Sequence, residues 1–417
     1  MPICKQPQPA SIQSAWNARG RPAAIETHVI EDAAGFEQLR PEWNELLEAS
    51  NSNGLFLTWE WLFTWWKHLS DGRRLHIVTV REGRQLVAIA PLALRPPSLT
   101  RLLPFQALEF LGSGIIGSDY LDFIIRRGKE REACRTLADY LSREKLVLEL
   151  AQLSKDSCVA AEIAARLHQG GWSLAGAQTN VCPFIHLAGH SWQSYLATLG
   201  SKHRYNFDRR VKVLMKKFDL RLEQVLSGEQ RRQALESLID LHNRRWQDRR
   251  GYSEAFYTPS LLAFHEELSR LALEQGWLRL FILRLSGHPV AALYGFRYCR
   301  TFYFFQSGFD PAYGKHSVGL VTMGLTIKSA IEEGVEEYDM LHGDESYKLH
   351  WARQVRALER LELYPPGARG RVCKGARGVS RAIRRMGRLV LPKTIADRLA
   401  IGKSAGIWNL LNAATTR

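Results

Sequence analysis

Residues 301–334 read TFYFFQSGFDPAYGKHSVGLVTMGLTIKSAIEEG, and residues 335–351 continue VEEYDMLHGDESYKLHW. Thr301–Gln306 is an aromatic strand. Asp310–His316 is a loop holding Pro311, Gly314 and the basic pair Lys315 and His316, and Val318–Glu333 carries an uninterrupted helical pattern. Tyr338–Leu341 is a short apolar strand, and the polar block His342–Lys348 follows it. A strand, a donor-rich loop, a helix and a strand ending in titratable groups can bind a phosphorylated ligand and set chemistry beside it. Unpaired N–H groups at a helix N-terminus, with the aligned dipole behind them, favour an anion. The fold class is therefore α/β, of the α+β kind, with mixed sheets flanked by helices.

Working upstream, Leu280–Leu285 and Val290–Phe296 form a hairpin around Ser286-Gly287-His288. Leu75–Ala90 superimposes on Arg279–Tyr294 without gaps, placing Gly83 on Gly287 and Val87-Ala88 on Ala291-Ala292. That echo predicts a duplicated α/β unit, of which only the second copy continues into the loop, helix and polar block. The rest of the first copy reads as helices over 36–49, 59–68, 129–141 and 159–169, with strands over 75–80, 86–94, 108–111, 121–125, 146–150 and 172–177. The dense Trp59, Trp61, Trp65 and Trp66 read as core packing. Residues 191–250 are mostly helical and basic, a last strand spans 357–364, and Pro365-Pro366 ends the packed chain. The domain expectation is a disordered 1–25, a degenerate unit 26–190, a second unit 191–366 and a basic tail 367–417.

The chain has 417 residues, enough for two domains, with 45% hydrophobic and 24% charged residues. Its net charge of +15 predicts attraction to an anionic partner: nucleic acid, membrane surface, acidic polymer or phosphorylated cofactor. The six cysteines are scattered, which argues against a zinc site and a disulfide framework; no metal is expected. No apolar run is long enough to span a bilayer, and the first residues lack the apolar core of a signal peptide, so the expected location is cytoplasmic. Gly-x-Ser-x-Gly elbows, Walker loops and HExxH helices do not occur.

Gly287-His-Pro-Val-Ala-Ala292, Gly308-Phe-Asp-Pro-Ala-Tyr313 and above all Tyr338-Asp-Met-Leu-His-Gly-Asp-Glu-Ser-Tyr-Lys348 resemble the GNAT-like acetyltransferases of the CelD (cellulose biosynthesis) type, related to the FemAB peptidyltransferases. Phe56–Trp61, Trp65-Trp66 and the basic stretch Ser201–Lys217 are similar to their counterparts too. The resemblance implies tandem GNAT-like domains and transfer of an acyl group from acetyl-CoA or another acyl-CoA to a sugar or surface-polysaccharide precursor. Two other outcomes stay open: a non-catalytic accessory protein of polysaccharide assembly, and FemAB-like transfer from aminoacyl-tRNA. The loop Tyr313–Gly319 departs from the usual GNAT signature.

On this reading Tyr313, Gly314, Lys315, His316, Ser317, Val318 and Gly319 cradle a pyrophosphate, the glycines admitting the backbone and the cations adding charge. The alternative is an ordinary strand-to-helix connection. Asp344 or Glu345 would take the acceptor's proton or orient it, Tyr347 would donate to the leaving thiolate, and Lys348 would stabilise anionic charge. The alternative is a turn in which Lys348 pairs with a carboxylate. Arg204 and Arg209 would meet an anionic acceptor unless they belong to a solvated face, and Asp339 would contact substrate unless it is a buried structural acid. Arg369–Lys393 carries nine cations, no acid, and apolar residues at helical spacing, which suits peripheral contact with an anionic membrane; a disordered, solvated extension is the rival, and nucleic-acid contact the third reading.

Overall fold

The computed structural model describes residues 25–97, 105–114, 116–250 and 255–390. Residues 1–24 of the expected disordered stretch, and the tail after Val390, lie outside the described residues. The first half runs β1 (Ile25–Ile30), α1 (Ala33–Gln38), α2 (Arg40–Glu48), α3 (Trp59–Leu69), β2 (Arg74–Glu82), β3 (Gln85–Arg95), β4 (Ala107–Phe110), β5 (Ile124–Ile125), α4 (Glu130–Glu144), β6 (Val147–Ser154), α5 (Cys158–Gln169) and β7 (Ser173–His186). The second runs α6 (Trp192–Thr198), α7 (Ser201–Lys217), β8 (Leu220–Gln224), α8 (Gly228–Arg250), α9 (Pro259–Glu274), β9 (Leu278–Leu285), β10 (His288–Tyr298), β11 (Thr301–Phe309), α10 (Val318–Glu332), β12 (Glu337–Asp339), α11 (Ser346–Leu349), β13 (Gln354–Tyr364) and α12 (Ala368–Val390).

The two hairpins that echo each other in sequence, β2–β3 and β9–β10, are the second and third strands of their halves. Ser286 and Gly287 both take positive φ (48° and 84°), the twist a two-residue hairpin turn requires. Each half then makes a parallel pair across a helix, β4 with β6 over α4 and β11 with β12 over α10. The sheets do not stay separate. The order is β1-β2-β3-β4-β6-β13-β7-β12-β11-β10-β9-β8, so β13 of the second half pairs with β6 and β7 of the first half pairs with β12. With β5 pairing β3 beside that order, one mixed α/β sheet of thirteen strands results, with a local two-fold relation where β7 and β13 run antiparallel.

Apolar residues cover both sheet faces. Trp43, Trp61 and Trp65 are buried among Phe56, Phe110 and Phe264 in the largest core, as core packing demands. Trp61 also donates its indole N–H to Ser118 Oγ at 2.9 Å. On the other face Tyr338, Phe302, Ile327, Phe207 and Trp351 form a second core under α10 and α7.

Three expectations need correction. The strand expected over 121–125 shrinks to Ile124–Ile125. The strand expected to reach Leu341 ends at Asp339, because Leu341 takes a left-handed φ of 55° that no strand continues through. And Pro365-Pro366 does not end the packed chain: α12 folds back, burying Cys373 and Arg377 against β13, β6 and β4.

Candidate active site

β11 and β12 stay in parallel register only from Thr301/Glu337 to Tyr303/Asp339. Beyond that point β11 continues beside β10, whereas the chain after β12 turns to β7, Met340 N donating to Pro183 O and Gly343 N to Val181 O. The two strands therefore part like the arms of a V. A cavity of about 250 Å³ opens against the β11 arm, walled by Ser307–Phe309, by Gly319 and Leu320 of α10, by Tyr347, His350 and Trp351, and by Arg245 from α8. Arg245 donates to Ser307 Oγ at 3.3 Å and sets its guanidinium over the rings of Phe309 and Tyr347.

At one rim stands the start of α10. Pro311–His316 is a 3₁₀ turn capped by Asp310, and Ser317 follows in the left-handed region at φ 54°. Ser317 contributes no side-chain cap, and the first internal bond of the helix is Val321 N to Ser317 O at 3.1 Å. The amides of Val318, Gly319 and Leu320 precede that bond, the orphan donors of a helix N-terminus. Arg210 of α7 donates to Lys315 O at 2.8 Å, bringing its cation to the same place. Burial together with the nearby charges of Lys315, Lys217 and Arg210 holds the His316 pKa below its ordinary value. Gly314 and Lys315 are exposed, and Tyr313 packs near Phe218 and His316.

The polar block folds as a turn leading into α11. Lys348 is buried; its ammonium donates to the carbonyls of His342 (2.7 Å) and Leu341 (3.3 Å) and pairs with Glu345 at 3.1 Å. Asp344 is exposed at the bend after Gly343, whose φ is 126°. Tyr347 lines the cavity, and burial, with Glu345 adding to it, raises its pKa, so the hydroxyl keeps its proton to donate. Asp339 is completely buried on the opposite face, accepting from Tyr120 OH (2.7 Å), Leu341 N (2.7 Å) and Arg356 (3.2 Å). Burial raises its pKa to about 7 against those donors. Arg204 and Arg209 are exposed on α7, while His203, Phe207 and Leu214 of the same helix pack inward.

The structure adds a pair that the sequence pattern did not single out. Asp119, on the loop between β4 and β5, is fully buried and accepts from His342 N (2.9 Å), His342 Nδ1 (2.9 Å) and Gln152 (2.9 Å). Its partner sits 223 residues away in the other half. The available signal was the glycine-dense run Gly112–Tyr120, whose Gly112, Gly114 and Gly117 all take positive φ. Among the described residues no group of His, Cys, Asp and Glu could hold a metal ion, and no helix is long and apolar enough to cross a membrane.

Residues 201–349 match the protein family described as an acetyltransferase (GNAT) domain, just over a third of the chain. No curated protein sequence matches the chain. Among solved structures the crystal structure of FemX is similar at a TM-score of 0.56, with 11% identity over 80% of this chain and 96% of that one. The C-terminal DUF2156 domain of a putative lysylphosphatidylglycerol synthetase from Agrobacterium fabrum is similar at 0.50, with 10% identity over 84% and 96%. At these identities the likeness is one of fold. The domain match supports an acyltransferase, with the V of β11 and β12 and the helix α10 inside the matched residues.

Proposed function

We propose that this chain moves an acyl group from acyl-CoA to an amine or hydroxyl of a sugar or surface-polysaccharide precursor, in the cleft where β11 parts from β12. The observation that carries the donor is the uncapped start of α10, with Arg210, Lys217, Lys315 and His316 around it, at the rim of a cavity that Gly319 and Leu320 help to wall. A pyrophosphate there would accept from the amides of Val318–Leu320 and meet the cations, leaving the thioester to lie along Ser307–Phe309. GNAT domains in general take acetyl-CoA, and the match covers this helix.

The corresponding helix of the first half speaks against a second donor site. Its first turn carries Glu130 and Glu132, and Glu130 already accepts from Gly128 N at 2.8 Å. Carboxylates where a phosphate would sit repel it. In the second half Tyr347 would protonate the leaving thiolate from the cavity wall. Lys348, spent on two carbonyls and Glu345, would hold the turn in place. Asp344 at the open bend would orient the acceptor, and Arg204 and Arg209 would meet its phosphate. The CelD-type resemblance supports the sugar; the fold likeness to FemX, with a net charge of +15, supports aminoacyl-tRNA as the second reading of the donor.

Thermal unfolding with acetyl-CoA, longer acyl-CoA and charged tRNA separates these readings. Acyl-CoA at about 100 times its dissociation constant should add roughly 2.7 kcal/mol. Lys315→Glu and Arg210→Glu should weaken that binding while the protein stays folded. An intact melting curve unmoved by any CoA thioester overturns the donor, and a shift with charged tRNA alone establishes the second reading.

A further inference from the structure

We infer that His342 is the general base of this transfer, oriented by Asp119 from the other half of the chain. The inference rests on the proposed acyl transfer and names the group that takes the acceptor's proton. Asp119 is completely buried, yet its carboxylate accepts both the backbone N–H and the Nδ1 of one residue, His342, whose side chain is 37% exposed. A carboxylate so placed selects the tautomer with hydrogen on Nδ1 and leaves the lone pair on Nε2. Nε2 has no hydrogen-bond partner among the described residues. Beside the ring lies Gly117, at φ 75°, where a Cβ would stand 2.9 Å from His342 Cε1 and 3.8 Å from Nε2. Only a residue without a side chain keeps that edge of the imidazole clear.

Its place along the V is the second support. Tyr303 and Asp339 are the last paired residues of β11 and β12, and His342 follows three residues on, where the chain has left β11 for β7. On the β11 arm, Ser307 lines the cavity. On the other side, Lys348 holds the His342 carbonyl and is the chain neighbour of Tyr347 in the cavity wall. The turn that Lys348 holds thus joins Tyr347, in the cavity wall, to His342 on the side of the V that faces the first half.

The step balances within the site. The acceptor nitrogen or oxygen bonds to the thioester carbonyl carbon while its proton passes to Nε2. The tetrahedral intermediate then collapses, the C–S bond breaks, Tyr347 gives its proton to the departing thiolate, and the exposed imidazolium sheds its proton to solvent, from which Tyr347 regains one. The groups that set the ring's charge are Asp119, whose hydrogen bond raises its pKa, with burial opposing, and Lys348 and Glu345 on the polar turn. The Cys182 thiol of β7 also faces Asp119, at 3.7 Å. Because the basic form is the active one, turnover should rise with pH along a limb lying above the ordinary histidine value.

The probe is acetyl-CoA with glucosamine as acceptor, followed by thiol release across pH, with acetyl-CoA affinity measured by calorimetry. His342→Gln preserves a donor to Asp119 but has no base; it should lower kcat about 10²–10⁴-fold and leave affinity within about two-fold. Asp119→Asn should lower kcat and move the limb to lower pH, which a merely structural contact would not do. Wild-type turnover in His342→Gln, or a limb unmoved in Asp119→Asn, overturns the base. Failure of the unaltered chain to bind acetyl-CoA overturns the donor reading beneath it, and the inference with it. Should His342→Gln melt early, Asp119→Asn and its limb decide alone.

Discussion

Gly319 and Gly324 lie on one helix and answer different demands. A Cβ at Gly324 would stand 2.2 Å from the Phe207 ring and 2.8 Å from Trp351, so this glycine lets α7 and the residues after α11 close on α10. At Gly319 the first atom met is Phe309 Cδ1, at 3.4 Å, an ordinary contact, and the position faces the cavity. Gly324→Ala should therefore cost about 1–3 kcal/mol through overpacking and lower the melting temperature. Gly319→Ala should melt no lower than the parent, since alanine is the better helix former by roughly 1 kcal/mol. Its cost should appear in acetyl-CoA affinity; unchanged affinity would remove the close backbone approach from the donor site. The sequence displayed both glycines within one helical pattern, and named only Gly319 as a site residue, because Phe207 lies on another helix and a pattern records spacing rather than contact. Asp119 was illegible for the same reason: its meaning lies in a histidine 223 residues on.

α12 shows how far an element can be read without its neighbours. The basic residues and the apolar spacing of Val379 and Ile383 announce an amphipathic helix, and Val372, Val379 and Ile383 are indeed exposed, at 70%, 60% and 45%. What spacing could not show is a second face. Arg377 reaches Glu149 of β6 at 3.1 Å and Glu362 of β13 at 3.3 Å, while Cys373 packs with Phe105, Ala107, Val147 and Tyr364. Ending the chain at Pro366 uncovers that cluster and takes Arg377 from two buried carboxylates, which keep Arg95 and Arg360; losing one such partner costs about 1–3 kcal/mol. Denaturant unfolding should show a loss of that order for the truncation and for Arg377→Ala. The triple change Val372→Ser, Val379→Ser, Ile383→Ser touches only the outer face and should leave unfolding unmoved. If that face rests on an anionic membrane, the full chain should sediment with phosphatidylglycerol vesicles and be released by salt, as each cation near the surface contributes about 1 kcal/mol and is screened. The triple variant should stay in solution; equal sedimentation of both forms would move the contact elsewhere, α7 first.

At the scale of the molecule, the hairpin echo foretold a duplication, and the element order of both halves follows it. It did not foretell the exchange. A boundary at 190/191 looks natural because β7 ends at His186 and α6 begins at Trp192, yet β7 supplies the neighbour of β12, and β13 supplies the neighbour of β6. Strand partnership is a matter of register and long-range closure, and nothing in the alternation of Ser173–His186 tells which half it serves. The consequence reaches the site, since the arm of the V that carries His342 lies along β7, and Asp119 comes from the first half. Neither half is then complete alone. Residues 25–190 and 191–390 produced separately should each expose an unpaired strand edge, β6 in one and β12 in the other, the kind of edge that aggregates. Produced together they should associate, each half offering its last strand to the other's open edge, and the intact chain should unfold in one cooperative transition. Scanning calorimetry of the full chain, beside gel filtration of the halves alone and mixed, decides it. Two separated transitions, or a soluble and folded second half on its own, would mean that the exchange is dispensable and that the site can be assembled from residues 191–366.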